Sequence, residues 1–456
     1  MGSAYRGCEH TLPLLALHAA LQGRRQDRGG LAGLDRDLNT FTLKASYVIP
    51  SPGEVLEGGG VVVRGGKIVD VRSSGKHKAS GEEIDLGEAV IIPGLINAHA
   101  HLELTDLEGK IPPPKSFTQW LGKMAAFRIE DPNRDLSHAV KRGAQMSLEA
   151  GTTTVADIAN TNDAFRVLPG LPIRKRVFKE LITLDPKKVA AILEEAIRIL
   201  SEFPRDGLGY VGLSPHAPYT ACDKLYRGSA LFSKGQDMLL TTHICESEEE
   251  LEFLSKGTGS LATTLRAFGF LDNWKPPGLS PVTFLESIGA MTSPWLLAHC
   301  NYVRDEELPI IKKSGSSVVY CPGSHHYFGH KRHPFPKLLK EGINVALGTD
   351  SLASNKSLSM LDEMRFVFAN YKEVSPQDIL AMATVRGARA VGLEGRIGRL
   401  SPDFEADLSV VELPRSGGSV LERLLQPEAQ NIFTMVAGKP CYDRYGLFVK
   451  EGKRRA

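Results

Sequence analysis

Pro93-Gly94-Leu95-Ile96-Asn97-Ala98-His99-Ala100-His101 is a short apolar run that ends on two histidines one residue apart. It has the length of a strand, and proline and glycine punctuate its start. Side chains alternate along a strand with a period of two, so His99 and His101 share a face. Two imidazoles side by side at a strand end can hold one metal ion. Taken singly, either is equally a hydrogen-bonded core or surface histidine. Seven more apolar runs follow, ending near Asp157, Glu180, His216, His243, His299, Cys321 and Asp350. Helical patterns separate several of them, such as Val189 to Leu200 and Pro376 to Val391. Strand–helix alternation implies parallel pairing, and eight such units imply an α/β fold, a (β/α)8 TIM-like barrel. In that architecture catalytic side chains come from the C-terminal strand ends.

Outside the barrel the pattern changes. Val61 to Val69 reads as a hairpin, with Gly65 and Gly66 supplying the positive φ of its turn. Strand-and-turn style returns after Arg396, in Ala406 to Val411 and Asn431 to Val436. The expected organisation is therefore a barrel over 91–395 and a β-sandwich domain built from both chain ends, 39–90 and 396–456. Residues 1–38 stand apart. Their apolar patch, Thr11 to Leu17, has only Arg6 against Glu9 ahead of it, a poor signal-peptide pattern, and we read a flexible arm.

The chain has 456 residues, 42% hydrophobic and 24% charged, which is ordinary for a globular protein and excludes disorder and disulfide scaffolds. Its 55 basic and 53 acidic residues leave a net charge of +2, no basis for binding nucleic acid or an anionic membrane. It has no apolar run long enough to imply a transmembrane helix. Six cysteines are scattered without a C-x-x-C pair, which fits reduced thiols and a cytoplasmic location.

His99, His101 and His243 with Asp350 make three imidazoles and a carboxylate, a donor set suited to one zinc or iron ion rather than calcium or magnesium. Glu246 lies three residues beyond His243, in the turn over the barrel mouth, ahead of a capping-box pattern at Ser247 to Glu250. Glu248, Glu249 and Glu250 read as a first helical turn favoured by the macrodipole. His299 is a candidate for proton handling, with a buried histidine satisfied by backbone as the plain alternative.

Together these residues resemble the amidohydrolase superfamily, in its mononuclear branch of adenosine-type deaminases and triazine chlorohydrolases. The resemblance runs from about residue 41 to about 445. It rests on Pro93 to His101, His243-Ile244-Cys245-Glu246, Leu297-Ala298-His299-Cys300, Cys321-Pro322-Gly323-Ser324 and Leu347-Gly348-Thr349-Asp350. It implies a metal held by His99, His101, His243 and Asp350, with Glu246, His299 and Asp350 catalytic. Binuclear relatives carry a modified lysine at the end of strand four; Gly212 to His216 has none, which implies one metal. The unrelated zinc deaminases marked H-x-E…P-C-x-x-C are excluded, because His101-Leu102-Glu103 has no C-x-x-C to follow it.

Within the branch the chain is most similar to aminodeoxyfutalosine deaminases of menaquinone biosynthesis. The segments concerned are His101 to Leu104, Ser116 to Trp120 and Ser324 to His330. The implied substrate is a small adenine-containing nucleoside, converted from 6-amino to 6-oxo with loss of ammonia. Ser214-Pro215-His216-Ala217-Pro218 resembles the segment whose histidine contacts the nucleoside. Trp120 is a pocket candidate or a helix core residue. Arg128 is a partner for a substrate carboxylate or a solvated helix arginine. S-adenosylhomocysteine or methylthioadenosine deaminase and other C–N or C–Cl hydrolases, such as guanine deaminase, are the alternatives. S-adenosylhomocysteine deaminases usually have asparagine after C-P-x-S, where this chain has His325. A non-enzymatic paralogue is disfavoured by six filled positions. The resemblance also implies a homodimer.

Overall fold

The computed structural model describes residues 40–448, apart from 74–80, 132, 205, 237 and 272–273. The arm expected over 1–38 lies outside the described residues. Eight strands form one parallel sheet in sequential order: β1 (Leu95–Ala100), β2 (Thr152–Ala159), β3 (Arg174–Leu181), β4 (Gly209–Pro215), β5 (Leu239–Ile244), β6 (Trp295–His299), β7 (Ser317–Tyr320) and β8 (Asn344–Leu347). The sheet closes on itself where Ala100 bridges Asp350, and the N–H groups of Thr349 and Asp350 both donate to His99 O, at 3.1 and 3.0 Å. The fold is the expected (β/α)8 barrel, and its seam is made by residues of the candidate site.

Asn97 fastens that seam from inside. Its Nδ2 donates to Thr349 Oγ1 at 2.7 Å, and its Oδ1 accepts from Thr349 N at 3.1 Å. Gly348 is required at the same place, because a Cβ there would stand 2.9 Å from both Cβ and O of His99.

Helices cover the barrel by burying apolar stripes. In the helix Val189–Glu202, residues Val189, Leu193, Ala196, Ile197 and Leu200 are buried, the spacing of one helical face. The pattern expected from Pro376 to Val391 is not one helix. It breaks at Thr384, whose backbone leaves helical values (φ −128°, ψ −95°) and whose hydroxyl donates to Leu380 O at 2.6 Å. The second piece, Val385–Ala390, packs its Ala388 and Ala390 with Ile96, Phe178, Leu296, Val319 and Ala346 of the strands.

Two further sheets lie outside the barrel. One has four strands, ordered Lys67–Arg72, Gly60–Arg64, Phe41–Lys44 and Glu82–Asp85. The other has six, ordered Lys439–Asp443, Gln430–Val436, Leu408–Glu412, Ala89–Pro93, Tyr47–Val48 and Leu56–Glu57, and so draws on both ends of the described chain. Ala89–Pro93 pairs with Leu408–Glu412, carrying the outer sheet three residues past position 90. The two sheets enclose a core that includes Leu43, Val61, Val63, Ile91, Val410 and Phe433. The hairpin turns on Gly65 and Gly66, at φ +59° and +81°, between Arg64 and Lys67. Two residues of positive φ match the twist of the flanking strands.

Candidate active site

Three imidazoles meet beside the seam. His99 and His101 leave the end of β1 and His243 lies near the end of β5, and one nitrogen of each lies within 4.8 Å of the others. His101 Nε2 and His243 Nε2 are 3.1 Å apart. Asp350, beyond β8, sets Oδ1 at 3.6 Å from His101 Nε2 and 3.8 Å from His99 Nε2. Four donors placed tetrahedrally at 2.0–2.1 Å from a cation stand about 3.4 Å apart, so these separations suit one ion. Both ring nitrogens of His99 are buried without a hydrogen-bond partner, as expected where a cation is to take a lone pair. Burial, then the neighbouring imidazoles, holds His99 well below the usual histidine range. Burial brings His101 down to about 4 against the pull of Asp350. Both rings are therefore neutral at pH 7 and offer lone pairs.

The surrounding groups aim these donors. His243 Nδ1–H donates to His216 O at 3.0 Å, which leaves Nε2 for the centre. His243 also lies within 4.8 Å of a second grouping with Glu180 and His216, but its free nitrogen is the one that meets His101. Asp350 Oδ2 accepts from Ser324 Oγ and Ser354 Oγ, each at 2.7 Å, while Oδ1 faces the histidines. Asp350 sits at φ +58° and His299 at φ +71°, values that cost a non-glycine residue about 1–3 kcal/mol and cluster at functional sites. Trp295 and Leu297 pack outward into the helix layer. His299 shares their phase in β6, and its left-handed backbone breaks that phase, with the ring 5.4 Å from those of His99 and His243.

Glu246 is buried, and its Oε1 lies 3.6 Å from His299 Nε2. Burial, reinforced by Asp350 and Glu250, raises its carboxyl well above the usual range, which favours the protonated form. Glu250 is more than the first-turn residue favoured by the macrodipole that its position implies. It is fully buried, and its Oε2 accepts from Glu246 N at 2.7 Å. Ser247 caps the helix Glu248–Lys256 by accepting from Glu250 N at 3.2 Å, and the Glu250 carboxylate extends back to accept from Glu246 N, one residue ahead of the cap.

A cavity of about 280 Å³ opens from the site. Its floor includes His101, Glu180, His216, His243, Glu246 and Asp350. The helix α1 (Phe117–Glu130) forms one wall with Trp120, Leu121, Met124, Ala125, Arg128 and Ile129, a single face at helical spacing. The segment after the helix α2 (Gly259–Ala267) adds Phe268 and Phe270. Trp120 is fixed by its Nε1–H donating to Ala353 O at 3.1 Å. His216 Nδ1 meets Thr220 Oγ1 at 2.6 Å, and burial lowers the ring to about 3. Arg128, 39% exposed, lies 3.5 Å from Glu180. The structure thus places Trp120, Arg128 and His216 on one cavity, and pairs Arg128 with a carboxylate of the protein itself.

Glu180 has no assigned role in the sequence reading, although its place at the end of β3 is the signal that would single it out. Burial opposes its charge, but His216 and Arg128, with His101 and His243, bring it down to about 2. Ser354 and Glu250 carry no such signal, because a loop serine and a helix-start glutamate look alike wherever they occur.

A parallel barrel with three imidazoles and a carboxylate gathered at its C-terminal strand ends is a site with the donors to hold one divalent metal ion. Residues 90–441 match the Amidohydrolase family, and the chain belongs to that family. The 5'-deoxyadenosine deaminase of Methanothermobacter thermautotrophicus is 28% identical over 387 residues, covering 81% of this chain and 85% of its own. The 5-methylthioadenosine/S-adenosylhomocysteine deaminase of Pyrococcus abyssi is 27% identical over 370 residues, 78% of this chain and 81% of its own. Helicobacter pylori aminofutalosine deaminase, solved in complex with methylthio-coformycin, superposes with a TM-score of 0.77 at 25% identity, covering 88% of this chain and 99% of that one.

Proposed function

We propose that this chain hydrolytically deaminates an adenine-containing nucleoside, with aminodeoxyfutalosine as its substrate. The observation that carries the reading is Glu246, a buried carboxyl 3.6 Å from His299 that lines a cavity beside a four-donor centre. His99, His101, His243 and Asp350 would hold the cation, zinc by its match to a nitrogen-rich donor set, with iron the close competitor. When bound, the cation supplies the Lewis acidity that brings the pKa of a water to about 7.

The chain's own residues do the rest. Asp350 accepts a proton from the attacking water, its carboxylate steadied by Ser324 and Ser354. His299 orients that water toward the ring carbon bearing the amine. Glu246 donates its proton to the adjacent ring nitrogen, which makes the carbon electrophilic. Asp350 passes the proton it took from water to the amine, the C–N bond breaks to release ammonia, and the hydroxyl proton returns to Glu246 as the 6-oxo group forms. His216 contacts the base from the opposite side, with Trp120 on the wall.

The remainder of the substrate lies along α1. Among the described residues Arg128 is the lone lysine or arginine lining the cavity, and the natural partner for an aryl carboxylate. A second reading, a substrate with a purely apolar 5' group such as methylthioadenosine, is favoured by the outer wall. There Leu121, Met124, Ile129, Leu265, Phe268 and Phe270 offer only apolar surface. Metal-loaded enzyme should be assayed with aminodeoxyfutalosine, methylthioadenosine, S-adenosylhomocysteine and adenosine. The first reading predicts the highest kcat/KM for aminodeoxyfutalosine and a selective loss on it in Arg128→Ala. A higher value for methylthioadenosine supports the second, and no turnover of any of the four overturns both.

A further inference from the structure

We infer that Glu180 is a specificity-determining residue that accepts a hydrogen bond from a ribose hydroxyl of the substrate; this rests on the nucleoside reading above. Its side chain is 1% exposed, at the end of β3 and on the cavity floor. One oxygen is occupied: Oε2 accepts from Asn160 Nδ2 at 2.8 Å and lies 3.5 Å from Arg128. The other, Oε1, is buried without any hydrogen-bond partner. His216 Nε2 is 3.9 Å from it, beyond hydrogen-bond reach. A buried carboxylate oxygen accepts and cannot donate, so the group that completes this site is a donor brought by the ligand.

The chemistry of the ligand narrows that donor. Adenine in a nucleoside has one N–H group, the exocyclic amine, and that amine is the leaving group, which must lie by Glu246 and Asp350. Around the mouth, Glu246 follows β5, His216 follows β4 and Glu180 ends β3. A base with its reacting edge at Glu246 and its far side at His216 therefore extends its sugar toward Glu180. The donors available there are hydroxyls. A site built to hydrogen-bond a substrate hydroxyl rejects the analogue lacking it far more strongly than an apolar pocket rejects a missing methylene.

The test measures binding rather than turnover, so that it stands apart from the deamination assay. Calorimetry on metal-loaded enzyme would compare inosine, 2'-deoxyinosine and 3'-deoxyinosine in wild type, Glu180→Ala and the near-isosteric Glu180→Gln. Metal content is measured in parallel. In wild type, at least one deoxy compound should bind 10-fold or more weakly than inosine. In Glu180→Ala that ratio should fall to about 1, with metal retained. Glu180→Gln, which keeps the side chain's shape, should fall between. A variant that weakens all three ligands equally, leaving the ratio intact, overturns the assignment, as does a wild type that does not discriminate. A variant that loses metal shows that Glu180 serves the centre instead, and also overturns it.

Discussion

Asp350 shows how much of the site depends on a few atoms. Oδ1 faces two histidines while Oδ2 holds hydroxyls from Ser324 and Ser354. Groups that orient a metal ligand typically contribute about 10–100-fold in affinity. Ser324→Ala should therefore weaken metal binding by about that factor in a chelator competition; unchanged affinity would leave Ser324 a packing residue. Glu246→Gln keeps the size of the side chain and removes the dissociable proton. It should retain metal and lose about 10²–10⁴-fold in kcat. Near-normal turnover would remove Glu246 from the proton path. His99, His101, His243 and Asp350 are legible in the sequence because strand alternation and the barrel rule say where strand ends point. Glu250 is not legible, because only tertiary packing distinguishes a buried brace from a solvated first turn.

Among the elements, the helix Met360–Asn370 supports the site from behind. Glu363 Oε2 accepts from Gly323 N at 2.8 Å and Oε1 from Asn355 Nδ2 at 2.7 Å, which holds the turn that presents Ser324. Burial raises Glu363 to about 8, with those hydrogen bonds opposing and Asp362 and Asp350 adding to the rise. The folded state thus keeps a proton that the unfolded chain releases near the ordinary carboxyl pKa of about 4.3. Its contribution is fully present below that pKa and is lost as pH rises toward about 8. Glu363→Gln should flatten the decline in that window by up to about 1.4 kcal/mol per pH unit, measured by urea unfolding at several pH values. An identical pH slope in the variant would show that Glu363 is ionised in the native protein. The eight strands are legible as apolar runs closed by polar residues. The break at Thr384 is not, since the apolar spacing continues across it.

For the whole molecule, the barrel and the outer sheets are joined by a buried ion pair. Arg174, at the start of β3, donates through Nε and Nη2 to the two carboxylate oxygens of Asp407, at 2.7 and 2.9 Å, with both side chains almost fully buried. Asp407 also accepts from Ala437 N at 2.8 Å. Breaking a buried pair by removing one partner typically costs about 3–5 kcal/mol. Arg174→Ala should lose about that much stability by urea denaturation, whereas a loss under 1 kcal/mol would mean the contact is not what joins the layers. The pairing of Arg174 with a residue 233 positions away is invisible in a single sequence. The alternation that defines the barrel is local, and so can be read.

The most direct measurement couples ammonia release to the adenine-to-hypoxanthine absorbance change, using the preferred nucleoside and enzyme before and after chelation. One ammonia per base converted, abolished by the chelator and restored by zinc, is the predicted result. No ammonia from any adenine nucleoside, or turnover that survives complete removal of metal, would contradict it.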